Sequence, residues 1–157
     1  MRILLLWLAL ACSTTPTGVH EGELAPAFEA PDLAGGELSL SELRGKPALV
    51  VFWASWCEPC LQEVPELNKI AAFYGDGLTV LGVNQGETAE RALGAAQTTG
   101  MSYRSLLDPT GTIGSTYEVR SIPLVVVLDA DGRIRYRGNG LPSHLLQLLD
   151  SLGAQGS

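Results

Sequence analysis

The stretch Pro47-Ala48-Leu49-Val50-Val51-Phe52-Trp53-Ala54-Ser55-Trp56-Cys57-Glu58-Pro59-Cys60 decides how the chain is read. Residues 47–54 show no polar alternation, which marks a strand buried on both faces and hence central in a sheet. Two cysteines spaced C-x-x-C follow at once. Behind them Leu61, Val64, Leu67, Ile70, Ala71 and Tyr74 recur at steps of three and four. That spacing is one face of a helix over residues 58–74, stopped by Gly75-Asp76-Gly77, with Pro65 expected to kink it. A thiol pair at a strand-to-helix junction points to a redox centre.

Working outward, residues 78–84 form a second apolar run and residues 87–99 an Ala-rich helix with Gly100 as its stop. A short strand over 103–107 precedes the Asp108-Pro109 turn, and residues 112–117 suit a short helix. Ile122-Pro123 then opens a third buried strand, Leu124-Val125-Val126-Val127-Leu128. The turn Asp129-Ala130-Asp131-Gly132 leads into residues 134–137, whose alternation suits an edge. A leucine-rich helix over 141–152 closes the chain. Upstream, Phe28-Glu29-Ala30 and Glu37-Leu38-Ser39-Leu40 flank the glycine turn Gly35-Gly36 as a hairpin, and residues 41–45 form a helical turn ending on Gly45. Buried strands alternating with helices, then a late hairpin and terminal helix, predict an α/β domain: a central mixed sheet with helices on both faces and an N-terminal β-hairpin extension.

The length of 157 residues suits one self-sufficient core. A net charge of −7, with basic residues in nothing longer than pairs, excludes a nucleic-acid surface and is read as solubility. The apolar stretch 3–11 is too short for a membrane crossing, which takes roughly 20 residues, but fits the core of a secretory signal. Ala9-Leu10-Ala11-Cys12 resembles a bacterial lipoprotein processing site. This divides the chain into a signal at 1–11, a flexible tether at 12–24 that opens on lipidated Cys12, and a folded domain at 25–157. An ordinary cleaved signal and an uncleaved anchor are the alternatives for the same stretch. Of the three cysteines, lipid on Cys12 would leave Cys57 and Cys60 as a closed pair.

With strand, cysteine pair and Ile122-Pro123 in place, the chain resembles thioredoxin-fold proteins. More narrowly, it is similar to the membrane-anchored, extracytoplasmic thiol-disulfide oxidoreductases of the TlpA and ResA type. The matching stretches are residues 52–60, Glu63-Val64-Pro65-Glu66-Leu67, Gly82-Val83-Asn84 with Glu87, and Ile122-Pro123. The resemblance covers roughly residues 25–152 and implies several things. Pro123 is cis and leaves the Ile122 backbone free to pair with an extended substrate, over a surface floored by Trp56. The buried aspartate of plain thioredoxin is replaced by Val51, and Glu63 occupies the active-site cavity in its stead. The implied partners are disulfide-containing substrate proteins, apocytochrome c among them, and a membrane electron donor. The implied setting is the periplasmic side of a bacterial cell envelope.

Thiol-disulfide exchange needs an attacking thiolate and a resolving thiol. Cys57, at a helix N-terminus whose free N–H groups favour an anion, is expected as the accessible nucleophile, and Cys60, one turn inward, as the buried resolving thiol. Pro59 stiffens the intervening turn, while Glu58 places a negative charge that opposes the thiolate. Glu63 is expected to exchange the Cys60 proton once burial raises its pKa. No organic cofactor and no metal are expected. A zinc site would need two more ligands, and only Cys12, His20 and His144 are on offer. A structural disulfide across so short a loop gains little. Rival functions are a thioredoxin-fold peroxidase, which expects a Thr-x-x-Cys site, a copper chaperone, which expects C-x-x-x-C, and a non-catalytic envelope binding module.

Overall fold

A computed structural model describes residues 15–156. The signal stretch and Cys12 lie outside the described residues. The order is β1 (Glu29–Pro31), β2 (Glu37–Ser39), a 3₁₀ turn (Leu40–Leu43), β3 (Ala48–Trp53), α1 (Glu58–Tyr74), β4 (Thr79–Gln85), α2 (Ala89–Thr99), β5 (Arg104–Asp108), α3 (Thr112–Thr116), β6 (Leu124–Leu128), β7 (Ile134–Gly138) and α4 (Leu145–Ser151).

The five-stranded sheet has the order β5-β4-β3-β6-β7. β3 lies at its centre, parallel to β4 through Phe52↔Val83 and antiparallel to β6 through Phe52↔Leu124. Every residue of β3 is buried, as an unalternating apolar run requires. Its side chains alternate between two cores. Val50 and Phe52 face the hairpin residues Ala30 and Leu38, the 3₁₀-turn residues Leu40 and Leu43, Ile113 of α3 and Tyr117 at its end. Leu49 and Val51 face Leu67, Ile70 and Tyr74 of α1 and Leu145 and Leu149 of α4. Trp53 continues that second face against Ala92 of α2. Three helices thus cover one face, and α3 with the hairpin covers the other.

α1 spans Glu58–Tyr74, as the spacing predicts, and runs through Pro65 as one helix. α2 ends on Gly100 in the left-handed conformation (φ 68°), and the Ile122–Pro123 bond is cis. Two boundaries differ from expectation. α4 begins at Leu145, not residue 141: Leu145 N–H bonds to Pro142 C=O, and Leu141 N–H is committed to Glu63. The described part of the stretch expected as a tether, up to residue 24, is instead folded onto the domain. Gly22 N–H donates to Ile134 C=O (2.8 Å), Ile134 N–H to Glu23 C=O (2.9 Å), and Ala25 N–H to Gly132 C=O (3.0 Å), with Val19 buried. The physical reason is the bare backbone edge at the start of β7, whose unpaired groups these residues satisfy. No helix among the described residues is long and apolar enough to cross a membrane.

Candidate active site

β3 delivers the chain to Ala54 at the C-terminal end of the sheet centre, and α1 begins four residues later. Cys57 is the N-terminal capping residue of α1, in extended conformation (φ −90°, ψ 92°). Its sulfur accepts the backbone N–H of Cys60 at 3.3 Å. Such a bond replaces a partner that the first turn of a helix lacks, here with sulfur in the place of a serine or aspartate oxygen. Pro59, which has no N–H to leave unpaired, sits within that first turn. Cys57 and Cys60 are disulfide-bonded, with Cα atoms 5.3 Å apart.

Both cysteines are covered in this oxidised form, Cys57 with 4% of its surface exposed and Cys60 with 3%. In this form exposure does not distinguish the two cysteines, and the expectation of an accessible Cys57 concerns the reduced thiol. The bond draws both sulfurs into one apolar cluster with Trp53, Ala54 and Ala92, against which Ile122 packs. What separates them is their place on the helix. Cys57 receives an N–H and the positive end of the dipole, and Cys60 is already inside the first turn. Trp56, 71% exposed, stands beside the pair. Trp56 and Ile122 line one open cleft of about 380 Å³, and Pro123 follows Ile122 in the cis peptide. Glu58 is exposed and accepts from the Gln62 amide one turn along the outer face of α1 (3.2 Å).

Glu63 lies one turn beyond Cys60 on α1, so both project from the same side of the helix. One carboxylate oxygen accepts from Leu141 N–H at 3.3 Å, while Oε2 is buried with no partner among the described residues. Burial raises its pKa, and the Leu141 bond offsets only part of that rise. Gly140, at φ +88°, makes the approach possible, since a Cβ there would stand 3.1 Å from Glu63 Oε1. At Val51, where plain thioredoxin carries a carboxylate, the side chain is packed against α1.

A second carboxylate, Glu87, is 6% exposed and grips the segment just before Cys57. It accepts Ser55 N–H (2.7 Å), the Ser55 hydroxyl, and the amide of fully buried Asn84 (2.8 Å). Burial alone would raise its pKa, but the Ser55 and Asn84 bonds, with the charge of Arg91, outweigh it and leave Glu87 below its ordinary value. Glu87 is not part of a helix start: α2 begins at Ala89 behind Thr88. Sequence reasoning placed Asn84 and Glu87 in a stretch that matches the family but missed the Ser55 clamp. The available signal was a charged residue just after a buried strand. The Leu141 contact of Glu63 was equally hidden. Among the described residues no group of three His, Cys, Asp or Glu could hold a metal ion.

A model described as the AhpC/TSA family matches residues 22–137. The chain belongs to this family. Its AhpC/TSA segment holds the cysteine pair, Glu63, Glu87, Ile122 and Pro123, while Cys12, Gly140 and Leu141 lie outside it. Among its relatives, the thioredoxin-like protein YneN of Bacillus subtilis is 38% identical over 126 residues, covering 78% of this chain and 74% of YneN. The thiol-disulfide oxidoreductase ResA of Geobacillus kaustophilus is 32% identical over 123 residues, covering 78% of this chain and 71% of ResA. Among solved structures, the thioredoxin domain of a thiol-disulfide oxidoreductase from Bacteroides vulgatus superposes with a TM-score of 0.77 at 26% identity, over 87% of this chain and 99% of that one. The fold of this AhpC/TSA member is thioredoxin-like, with the hairpin of β1 and β2 added in front of the central sheet.

Proposed function

We propose that the protein is a thiol-disulfide oxidoreductase that reduces disulfides of substrate proteins outside the cytoplasm. One observation carries the reading: a cysteine sulfur caps α1 and is held by the N–H of its own partner cysteine. That arrangement stabilises a thiolate at Cys57 and not at Cys60. In the reaction the reduced Cys57 thiolate attacks one sulfur of the substrate disulfide and expels the other as a thiolate. Cys60 then loses its proton and attacks Cys57 Sγ, which releases the second substrate thiolate and leaves Cys57–Cys60 oxidised. Two electrons have passed to the substrate, and no group beyond the two sulfurs is needed. Glu63, with its raised pKa and one unpartnered oxygen, is suited to take the Cys60 proton.

The names of the relatives support the disulfide chemistry. The resemblance to ResA-type proteins supports apocytochrome c before haem attachment as a substrate and a membrane protein as electron donor. The apolar stretch ahead of Cys12 supports export and a lipid anchor at that residue. A peroxidase of the same fold expects Thr-x-x-Cys, whereas the corresponding residues are Ala54-Ser55-Trp56-Cys57.

Equilibration against a thiol redox buffer, followed by turnover on a protein disulfide, tests the proposal. A potential near that of thioredoxin, about −270 mV, with turnover abolished by Cys57→Ser, is expected. A potential near about −120 mV overturns the reductant direction, and full turnover by Cys57→Ser overturns the mechanism.

A further inference from the structure

A second cleft, of about 310 Å³, opens beside the cis-proline loop and is lined by Glu118, Arg120, Ser121, Leu124, Arg137 and Asn139. It shares Arg120 and Ser121 with the cleft formed by Trp56, Val119 and Ile122, so the two meet along residues 120–121. Two guanidinium groups thus line a cleft that adjoins the one bearing Trp56 and Ile122, in a chain whose net charge is −7. Neither takes part in an ion pair among the described residues. Arg120 is exposed, and its side chain makes no hydrogen bond there. Arg137 spends Nη2 on the carbonyls of Tyr117 (2.7 Å) and Glu118 (3.1 Å), and its buried Nε has no acceptor.

The loop that carries these groups is held in place. Asn139 donates to the Ser121 hydroxyl (2.8 Å) and to the Pro123 carbonyl (3.1 Å). The Ser121 hydroxyl, which accepts from Asn139, keeps its own hydrogen to donate. Glu118 holds the left-handed conformation (φ 50°), an uncommon setting for a side-chain-bearing residue that functional loops retain. Glu118 also lines the cleft, where two basic residues stand against one acidic one. Arginine presents a planar fork matched to a carboxylate, and Arg and Trp are the residues that most often anchor an interface.

We propose that this cleft selects substrates carrying an Asp or Glu close in sequence to the attacked cysteine, the acidic side chain entering between Arg120 and Arg137. The inference rests on the disulfide-exchange reading and names its substrate class. An extended segment passing the cis-proline loop would present alternate side chains to one side. A carboxylate about two residues from the cysteine therefore shares a side with it.

The test uses the reduced protein and three peptides, each with one cysteine capped as a disulfide by a neutral thiol. Glu, Gln or Lys stands about two residues to each side of the cysteine. The expected order of the single-turnover second-order rate constant is Glu over Gln over Lys, spread by about fivefold at low ionic strength and collapsing in about 0.5 M salt. Arg120→Glu reverses the order. Equal rates on all three peptides, or an order that survives Arg120→Glu, overturn the inference and leave disulfide exchange standing. Failure to reduce any of the three, the Gln peptide included, overturns the exchange reading and this inference with it.

Discussion

Glu63 and Glu87 are two half- to fully buried carboxylates that the fold drives in opposite directions. Glu63 has one hydrogen bond and an orphaned oxygen, so its native carboxyl holds a proton more tightly than the unfolded chain does. Stability then falls as pH rises past the ordinary value of 4.5, and the loss is complete above the raised native value. Glu63→Gln keeps an acceptor for Leu141 without the charge. Its urea midpoint is expected to exceed that of the parent at about pH 7.5 and to match it at about pH 4. Equal midpoints at both values would sink the assignment. Glu87 works the other way: its stabilisation is present above the ordinary carboxylate range and is lost as pH falls through its lowered native pKa. Removing it strands the Ser55 N–H and the Asn84 amide. Glu87→Ala is therefore expected to cost about 3 kcal/mol in denaturant unfolding and to slow attack by Cys57. A loss under about 0.5 kcal/mol would mean that the clamp contributes little.

At the scale of elements, α1 and the sheet centre were legible because their instructions are written in side-chain periodicity. Leu61, Val64, Leu67 and Ile70 specify one helix face, and the run before Cys57 specifies a strand covered on both sides. Gly100 marked the end of α2 for a conformational reason, its positive φ. α4 misled because Leu141 fits the leucine spacing, while its N–H is claimed by a glutamate far away in sequence. Such a contact leaves no periodic trace. β4 hides a further constraint at Gly82, where an added Cβ would stand 2.9 Å from both Ser105 Oγ and Trp53 Nε1. Those two atoms hydrogen-bond to each other behind the cysteine pair. Gly82→Ala is expected to force them apart, at about 1–3 kcal/mol, and to change the near-ultraviolet signal of Trp53. An unaltered spectrum with parental stability would contradict that packing.

Across the whole molecule, the fold gathers at one end of the sheet what the chain scatters between Cys57 and Leu141. The cysteines come from the β3–α1 junction, Glu87 from the end of β4, the cis-proline from the start of β6, and the Leu141 N–H from beyond β7. The cysteine pair, Glu63 and Pro123 were named from sequence by motif and resemblance. The arginine cleft was not, since Arg120 and Arg137 become neighbours only when β6 and β7 pair. The folded strap over residues 16–24 was likewise invisible, being held by backbone atoms that every sequence possesses. The central claim is that Cys57 attacks and Cys60 resolves. It is tested most directly by incubating the Cys60→Ala variant, in reduced form, with a disulfide-bonded protein and mapping the linked cysteine by mass spectrometry. A stable mixed disulfide through Cys57, absent from Cys57→Ser, is the expected result. An empty trap, with the Cys57 thiol shown to react with a small alkylating agent, would contradict it.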